Sequence, residues 1–319
     1  MHLPLSRFFI VTRVDILART SECLTICAHS WFDMKFVSAS IVGVVSASKL
    51  QALVDEVNSK QNSWTAAVPS KFSDEDDVKN YLGAYLPGDP EYNSPPVRYV
   101  DYNVTVPDSF DATEQWPQCT VLSWVRDQSA CGCCWAFASA STFEGRACIA
   151  GGGDIRCSAE DVCFCSSAGN GCGGGNSAWS WMSSSGVVTG GDYKDTGSDR
   201  WCYPFSLPTC AHHMGHATKS YPECPEQNYP SPRCARKCTE SSYPKSYSAD
   251  KVRAASSYSV RGISQMQQEI MTNGPLWVGF SVYADFPLYK SGVYRHTSGA
   301  MKGGHAVTMV GWGEENGQK

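Results

Sequence analysis

The sequence predicts an α+β chain of two lobes, helical first and β-rich second, with a cleft between them. Three observations predict it. Cys134 to Ile149 is a Pro-free run of mostly Ala, Ser, Phe and Trp, which reads as a helix with one apolar face. Leu276 to Tyr283 and Ala306 to Trp312 are rich in Val, Phe, Tyr and Trp and read as strands. Helices followed by strands segregate into layers that pack on each other.

Composition narrows the setting. The 319 residues suffice for a substantial core and one or two domains. A net charge of −5 with 18% charged residues and no basic block argues against a nucleic-acid partner. Fourteen of the sixteen Cys lie between Cys119 and Cys238, a density that implies an oxidising compartment. Met34-Lys35 is followed by an apolar run, Phe36 to Val45. Val45-Ser46-Ala47 then has the small residues at which a secretory signal is cut, so residues 34–47 read as a signal peptide. That run is too short to span a bilayer, and no membrane attachment is expected once it is removed. Residues 1–33 carry Arg7, Arg13 and Arg19 without periodicity. They read as upstream translation before a start at Met34, or as part of one longer targeting segment.

Along the chain, Lys49 to Tyr85 has helical spacing in pieces: Leu50, Leu53, Val54 and Val57, then Val78, Leu82 and Tyr85. Pro87, Pro90, Pro95 and Pro96 predict an extended linker that a protease could cut. Asn103-Val104-Thr105 in this linker is an N-glycosylation sequon. Gly151-Gly152-Gly153 ends the Cys134 helix. Ser158 and Asp161 form a capping box at the next helix start. Ala178 to Ser183 reads as a helix, and residues 202–238, dense in Pro and Cys without periodicity, read as a stapled loop. Gln265 to Met271 reads as a short helix ended by Asn273-Gly274-Pro275.

The chemistry concentrates at two places. Cys134 stands at a helix N-terminus, where free N–H groups and the helix dipole favour the thiolate that attacks a carbonyl. Gly303-Gly304-His305-Ala306 opens the last strand, with glycines leaving room beside an imidazole.

Asp127-Gln128-Ser129-Ala130-Cys131-Gly132-Cys133-Cys134-Trp135-Ala136-Phe137 resembles the active-site signature of papain-like cysteine proteases. The resemblance implies a papain-like fold, a helical lobe facing a β-barrel lobe, and a peptidase working by acyl transfer. It makes Cys134 the nucleophile and His305 the general base and acid. Gln128 and the Cys134 N–H become the oxyanion donors that a tetrahedral intermediate needs. Gly174 and Gly175, in Gly171-Cys172-Gly173-Gly174-Gly175, would pair with bound peptide, and Ala306 would line the same site. The His lies farther downstream than the roughly 130–150 residues usual in the family. The stapled loop accounts for the excess.

That loop points to the cathepsin B branch. Cys210-Ala211-His212-His213 resembles an occluding loop whose two His hold a peptide's C-terminal carboxylate. This implies peptidyl-dipeptidase beside endopeptidase activity. Imidazoles suit such a clamp in acid, being ordinarily charged only below about pH 6.5. One loop His is further expected to pair with Asp127. Asn58 to Trp64 resembles the branch's inhibitory propeptide, and Val106 to Gln118 its mature N-terminus near Val106 or Pro107. The expected domains are residues 1–47 (upstream segment and signal), 48–105 (propeptide), 106–253 (helical lobe with the 202–238 loop) and 254–319 (partial β lobe).

By the same resemblance the disulfides are Cys119–Cys148, Cys131–Cys172, Cys165–Cys234, Cys202–Cys238 and Cys210–Cys224. Cys133, Cys157 and Cys163 are left over, the last two free to pair with each other. Cys133 stands where the family has Ser or another small residue. A zinc site using His212 and His213 is possible by spacing, but the Cys are assigned to disulfides, and no metal or cofactor is expected. The family carries further strands after the position of Lys319, with an Asn orienting the catalytic His, a shielding Trp and an acidic S2 residue. No Asn-Ser-Trp follows His305. The sequence is therefore expected to be a fragment, inactive as it stands. Expected partners are peptide and protein substrates and the chain's own propeptide, on a monomer routed through the secretory pathway to a lysosome or the exterior. Two other classes compete. Cys131-Gly132-Cys133-Cys134 contains the C-x-x-C of thiol–disulfide exchangers, and Cys133 with the missing C-terminal strands keeps open a relative that binds peptides or inhibitors without turnover.

Overall fold

A computed structural model describes residues 10–11, 37–69, 72–212 and 216–319, with the backbone alone for 10–11 and 37–48. The helices are α1 (Val37–Lys60), α2 (Ala112–Gln115), α3 (Cys134–Ala147), α4 (Ala159–Cys165), α5 (Trp179–Ser184), α6 (Tyr247–Asp250) and α7 (Ile263–Asn273). The strands are β1 (Ile10–Val11), β2 (Trp64–Ala66), β3 (Phe110–Asp111), β4 (Leu276–Tyr283), β5 (Tyr289–Gly292), β6 (Met301–Met309) and β7 (Gly311–Trp312).

The central element is α3. The sequence predicts one apolar face, but the helix is buried nearly all round, from Cys134 to Ala140 and from Thr142 to Gly145. It lies between the lobes, with α4 against one side and β4 and β6 against another. A helix covered on every side has no solvent stripe to keep polar. Its small residues permit the close approach, and its buried hydroxyls are paired. Ser139 donates to the Trp135 carbonyl at 2.7 Å, and Thr142 meets Thr308 at 3.3 Å. Gly151, at φ +85°, breaks the helical path after Cys148.

On the helical side, Ser158 caps α4 by accepting from the Asp161 N–H at 2.9 Å. The reciprocal half of the predicted capping box is missing. Ser158 N–H goes to Val188 O, and the Asp161 carboxylate instead takes Val188 N–H and Lys251. On the other side, β4 and β6 form an antiparallel ladder in which Phe280 faces His305 and Gly279 faces Ala306. β6 begins five residues before the predicted Ala306. Gly303 and Gly304 lie inside the ladder, because β4 supplies partners for a backbone that has no side chains to pack. The sheet order is β1-β6-β4, while β7 leaves it to pair with β3. No closed barrel forms among the described residues.

The segment before the linker folds onto this second lobe. Leu50, Val54 and Val57 recur on one face of α1 and are buried with Trp64 and Leu288. β2 adds antiparallel to β5, and Trp64 Nε1 donates to Arg295 O at 2.9 Å. The predicted signal cleavage point, Val45-Ser46-Ala47, falls within α1, while Met34 to Phe36 lie outside the described residues. Among the described residues no helix is long and apolar enough to cross a membrane.

Candidate active site

Cys134 is the first residue of α3 because the backbone of Cys133 (φ −97°, ψ 10°) is not helical. The side chain is 1% exposed. Trp277 Nε1 donates to Trp135 O at 3.1 Å and ties this first turn to β4. His305 comes from β6, across the ladder from Phe280, whose ring meets the imidazole edge-on at 5.9 Å. Cys134, His305, Gln128 and Ala306 all line one cavity of about 120 Å³. Residues far apart along the chain thus meet where the helical lobe faces the sheet.

The cleft is filled by the chain itself. Val78, Leu82 and Tyr85 have helical spacing, yet only Asp77–Tyr81 forms a short 3-10 turn, and Leu82 to Leu86 run through the cleft outside any helix. Their backbone groups find partners on both walls. Gly83 and Ala84 N–H each donate to Gly304 O at 3.0 Å, Tyr85 N–H donates to Gly175 O at 3.0 Å, and Gly175 N–H donates to Gly83 O at 2.7 Å. The Ala84–Gly175 bridge is parallel. Gly174, at φ +112°, leaves room for the Gly83 carbonyl and the Tyr85 ring, which a Cβ there would crowd. A Cβ on Gly83 would overlap the Gly132 carbonyl. Gln128 Nε2 donates to Cys131 O at 2.7 Å and to Tyr81 O at 3.1 Å. An amide aimed beside the sulfur therefore already holds a carbonyl oxygen.

This cover sets the electrostatics. Burial pushes the Cys134 thiol up to about 11, against the pull of N–H groups of Ala306, Gly83, Trp135 and Cys134 itself. Burial pushes His305 down to about 4, opposed only by the Tyr81 carbonyl. Its Nδ1 is buried with no hydrogen-bond partner among the described residues. Under the cover both groups are neutral at mid pH. Outside the cleft, Lys302 Nζ anchors the same segment, 2.6 Å from Asp76 and 3.1 Å from Glu75. Sequence reading did not single out Tyr81, Gly83 or Lys302. The Gly83–Gly304 pairing of two glycine-bearing stretches was the available signal.

The 202–238 loop crosses one end of the cleft. His212 Nε2 lies 2.8 Å from Asp127 Oδ1, and its ring stacks on Tyr81 with centroids 5.2 Å apart. Tyr229 N–H donates to Ala130 O at 2.9 Å. His213 lies outside the described residues.

Among the described residues six disulfides join Cys119–Cys148, Cys131–Cys172, Cys133–Cys163, Cys165–Cys234, Cys202–Cys238 and Cys210–Cys224. Five are the pairs the resemblance implies. The leftover cysteines depart from expectation. Cys163 pairs with Cys133 rather than Cys157, because α4 packs beside the start of α3 and brings those Cα atoms to 6.1 Å. Cys157 is free and buried, its N–H on Glu144 and its carbonyl on Arg126. Cys131 and Cys134 do not pair, which leaves the C-x-x-C without a redox couple.

Comparisons with known proteins agree on one group. A family profile described as papain family cysteine protease matches residues 106–319. Cathepsin B-like cysteine proteinase 4 of Caenorhabditis elegans is 40% identical over 88% of this chain and 84% of its own length. A cathepsin B-like cysteine proteinase of Schistosoma japonicum is 38% identical over 84% of this chain and 80% of its own. Among solved structures, procathepsin B S9 from Trypanosoma congolense superposes with a TM-score of 0.68 at 30% identity, covering 86% of this chain and 85% of that one. Procathepsin L 3 of Tenebrio molitor larval midgut, at 17% identity and a TM-score of 0.57 over 90% of this chain and 81% of that one, shares the fold.

Proposed function

Since the chain belongs to the papain family of cysteine proteases, a group of cysteine peptidases made as zymogens, we propose that Cys134, His305 and Gln128 carry its catalysis and that residues 48–105 are its propeptide. Removal of the propeptide returns water to the cleft and relieves the burial that keeps Cys134 and His305 neutral. The N–H groups at the α3 start then favour the thiolate, with His305 as the imidazolium. The thiolate attacks the peptide carbonyl carbon. Gln128 Nε2 and the Cys134 N–H hold the oxyanion, and His305 protonates the leaving amine. His305 next takes a proton from water, which releases the acyl group and frees the sulfur.

One observation carries the reading. Gln128 Nε2 grips the Tyr81 carbonyl beside the sulfur, as it would grip a substrate carbonyl. The covering segment itself presents the Gly83 N–H to the sulfur. Gly174, Gly175 and Ala306 would receive the substrate backbone. His212, with His213, would hold a peptide's C-terminal carboxylate and add peptidyl-dipeptidase activity. Six disulfides favour a secretory route, to a lysosome-type compartment or the exterior.

The test is titration of the acid-processed protein with a cleft-directed covalent thiol reagent alongside peptide turnover. One-to-one labelling that vanishes with turnover in Cys134→Ala supports the assignment. Undiminished turnover in that variant refutes it. For the loop, His212→Ala should lower cleavage of substrates with a free C-terminal carboxylate more than of their amides.

A further inference from the structure

We propose that Asn103 carries an N-linked glycan, and that this glycan shields the bridge between propeptide and protease body from cleavage. The proposal rests on the zymogen reading above and on a secretory route. Asn103-Val104-Thr105 meets the acceptor pattern, with no Pro between. All three residues are exposed. Asn103 sits at φ +50°, in the left-handed region that Asn tolerates better than most residues. Its side-chain amide makes no hydrogen bond among the described residues, so its nitrogen faces solvent uncommitted.

The position matters more than the motif. Just upstream, α7 grips the chain. Val100 exchanges hydrogen bonds with the Gln265 amide at 2.6 and 2.8 Å, and Tyr102 N–H donates to Gln268 at 3.2 Å. Tyr102 OH donates to Glu269 at 2.7 Å and accepts from Asn273 at 2.8 Å. Just downstream, Trp312 Nε1 holds the Pro107 carbonyl at 3.1 Å. Between these anchors Val104, Thr105 and Val106 make no hydrogen bond among the described residues. A protease must draw several residues of free backbone into its own cleft, and a short unanchored stretch is where that costs least. A branched glycan on the first residue of that stretch fills the solvent the protease needs.

In the modification, the Asn103 amide nitrogen bonds to the anomeric carbon of a polyprenyl-pyrophosphate-linked oligosaccharide. The bond from that carbon to the phosphate oxygen breaks, the lipid pyrophosphate leaves with the electron pair, and the amide gives up one proton.

The experiment uses the full chain as Cys134→Ala, so that only added protease cuts, recovered from eukaryotic secretory cells and their lysate. The expected result is a mass above that of the polypeptide. Peptide N-glycosidase should remove the excess and leave aspartate at 103. Both Asn103→Gln and Thr105→Ala should lack it, the second variant leaving the backbone at 103 untouched. Limited proteolysis with subtilisin should then cut within 103–107 several-fold faster in Thr105→Ala and in the deglycosylated protein than in the glycosylated one. Absence of the glycan, or equal cutting rates with and without it, overturns the proposal. Neither arm depends on Cys134 as nucleophile, so failure here and failure of the catalytic assignment are separate results.

Discussion

Four backbone N–H groups pull the sulfur of Cys134 toward ionisation, and burial under Leu82 to Leu86 outweighs them. On the proposed function the same atoms would serve inhibition under the cover and catalysis without it, and single residues can be tested for each. Gln128→Ala in the processed enzyme should lose roughly 10²–10³ in kcat, the usual cost of one oxyanion donor. Steady-state kinetics check this, with KM changing far less than kcat. The disulfides give a second test. Removing Cys133–Cys163 by paired Ala substitutions should cost about 2–4 kcal/mol of stability in urea unfolding. Cys157→Ala, which breaks no covalent link, should leave the number of disulfides unchanged in a thiol count under denaturing conditions. Cys134, Gln128 and His305, each singled out from a local pattern of small residues, line one cavity. The sequence did not reveal the Cys133–Cys163 pair, since that choice is made by how α4 packs on α3 and not by spacing along the chain.

Elements were legible where one physical demand dominated. The buried face of α1 repeats at helical spacing, and β4 starts and stops where its apolar run does. They were misread where tertiary partners overrode local pattern. Leu82 and Tyr85 continue a helical spacing from Val78, but the Gly83 and Ala84 N–H groups bond to Gly304 and that of Tyr85 to Gly175 across the cleft, and the 3-10 turn ends at Tyr81. The glycines of Gly303-Gly304 look like a strand boundary, yet they lie inside β6 and leave the gap that Leu82 to Leu86 fill. This close approach is testable at Gly83. A methyl there must push against the Gly132 carbonyl, and overpacking of this kind costs about 1–3 kcal/mol. At neutral pH, Gly83→Ala in the full chain should raise the alkylation rate of Cys134 by about tenfold, an opening of about 1.4 kcal/mol. An unchanged rate would mean that the cleft segment seats without the glycine.

At the scale of the whole molecule, two lobes and a cover behave as one acid-sensitive assembly. The order of helices and strands announced the lobes; nothing local announced that residues 81–86 would cross between them. His305 falls from an ordinary 6.5 to about 4 beneath the cover because burial disfavours its charge. In Cys134→Ala, where no thiolate offsets the imidazolium, the uncovered state, with the imidazole in water, therefore binds more protons between those values. Covering is favoured above pH 6.5 and is penalised progressively as pH falls toward 4, by up to about 3 kcal/mol. The Lys302 clasp weakens in the same direction but at lower pH. Hydrogen bonds from Lys302 and then Lys79 hold Asp76 below its ordinary 3.8, so this exposed pair stays intact through that window and loosens only in stronger acid. Acid release between pH 6.5 and 4 should accordingly originate at the imidazole. Hydrogen exchange at the Gly83, Ala84 and Tyr85 amides, corrected for intrinsic rates, reports it. In the Cys134→Ala background protection should fall across the window, and it should stay level when His305→Gln is added. In Lys302→Met it should be lower throughout, with the same dependence on pH. An identical fall in His305→Gln would remove the imidazole from the account and leave the carboxylates to explain release.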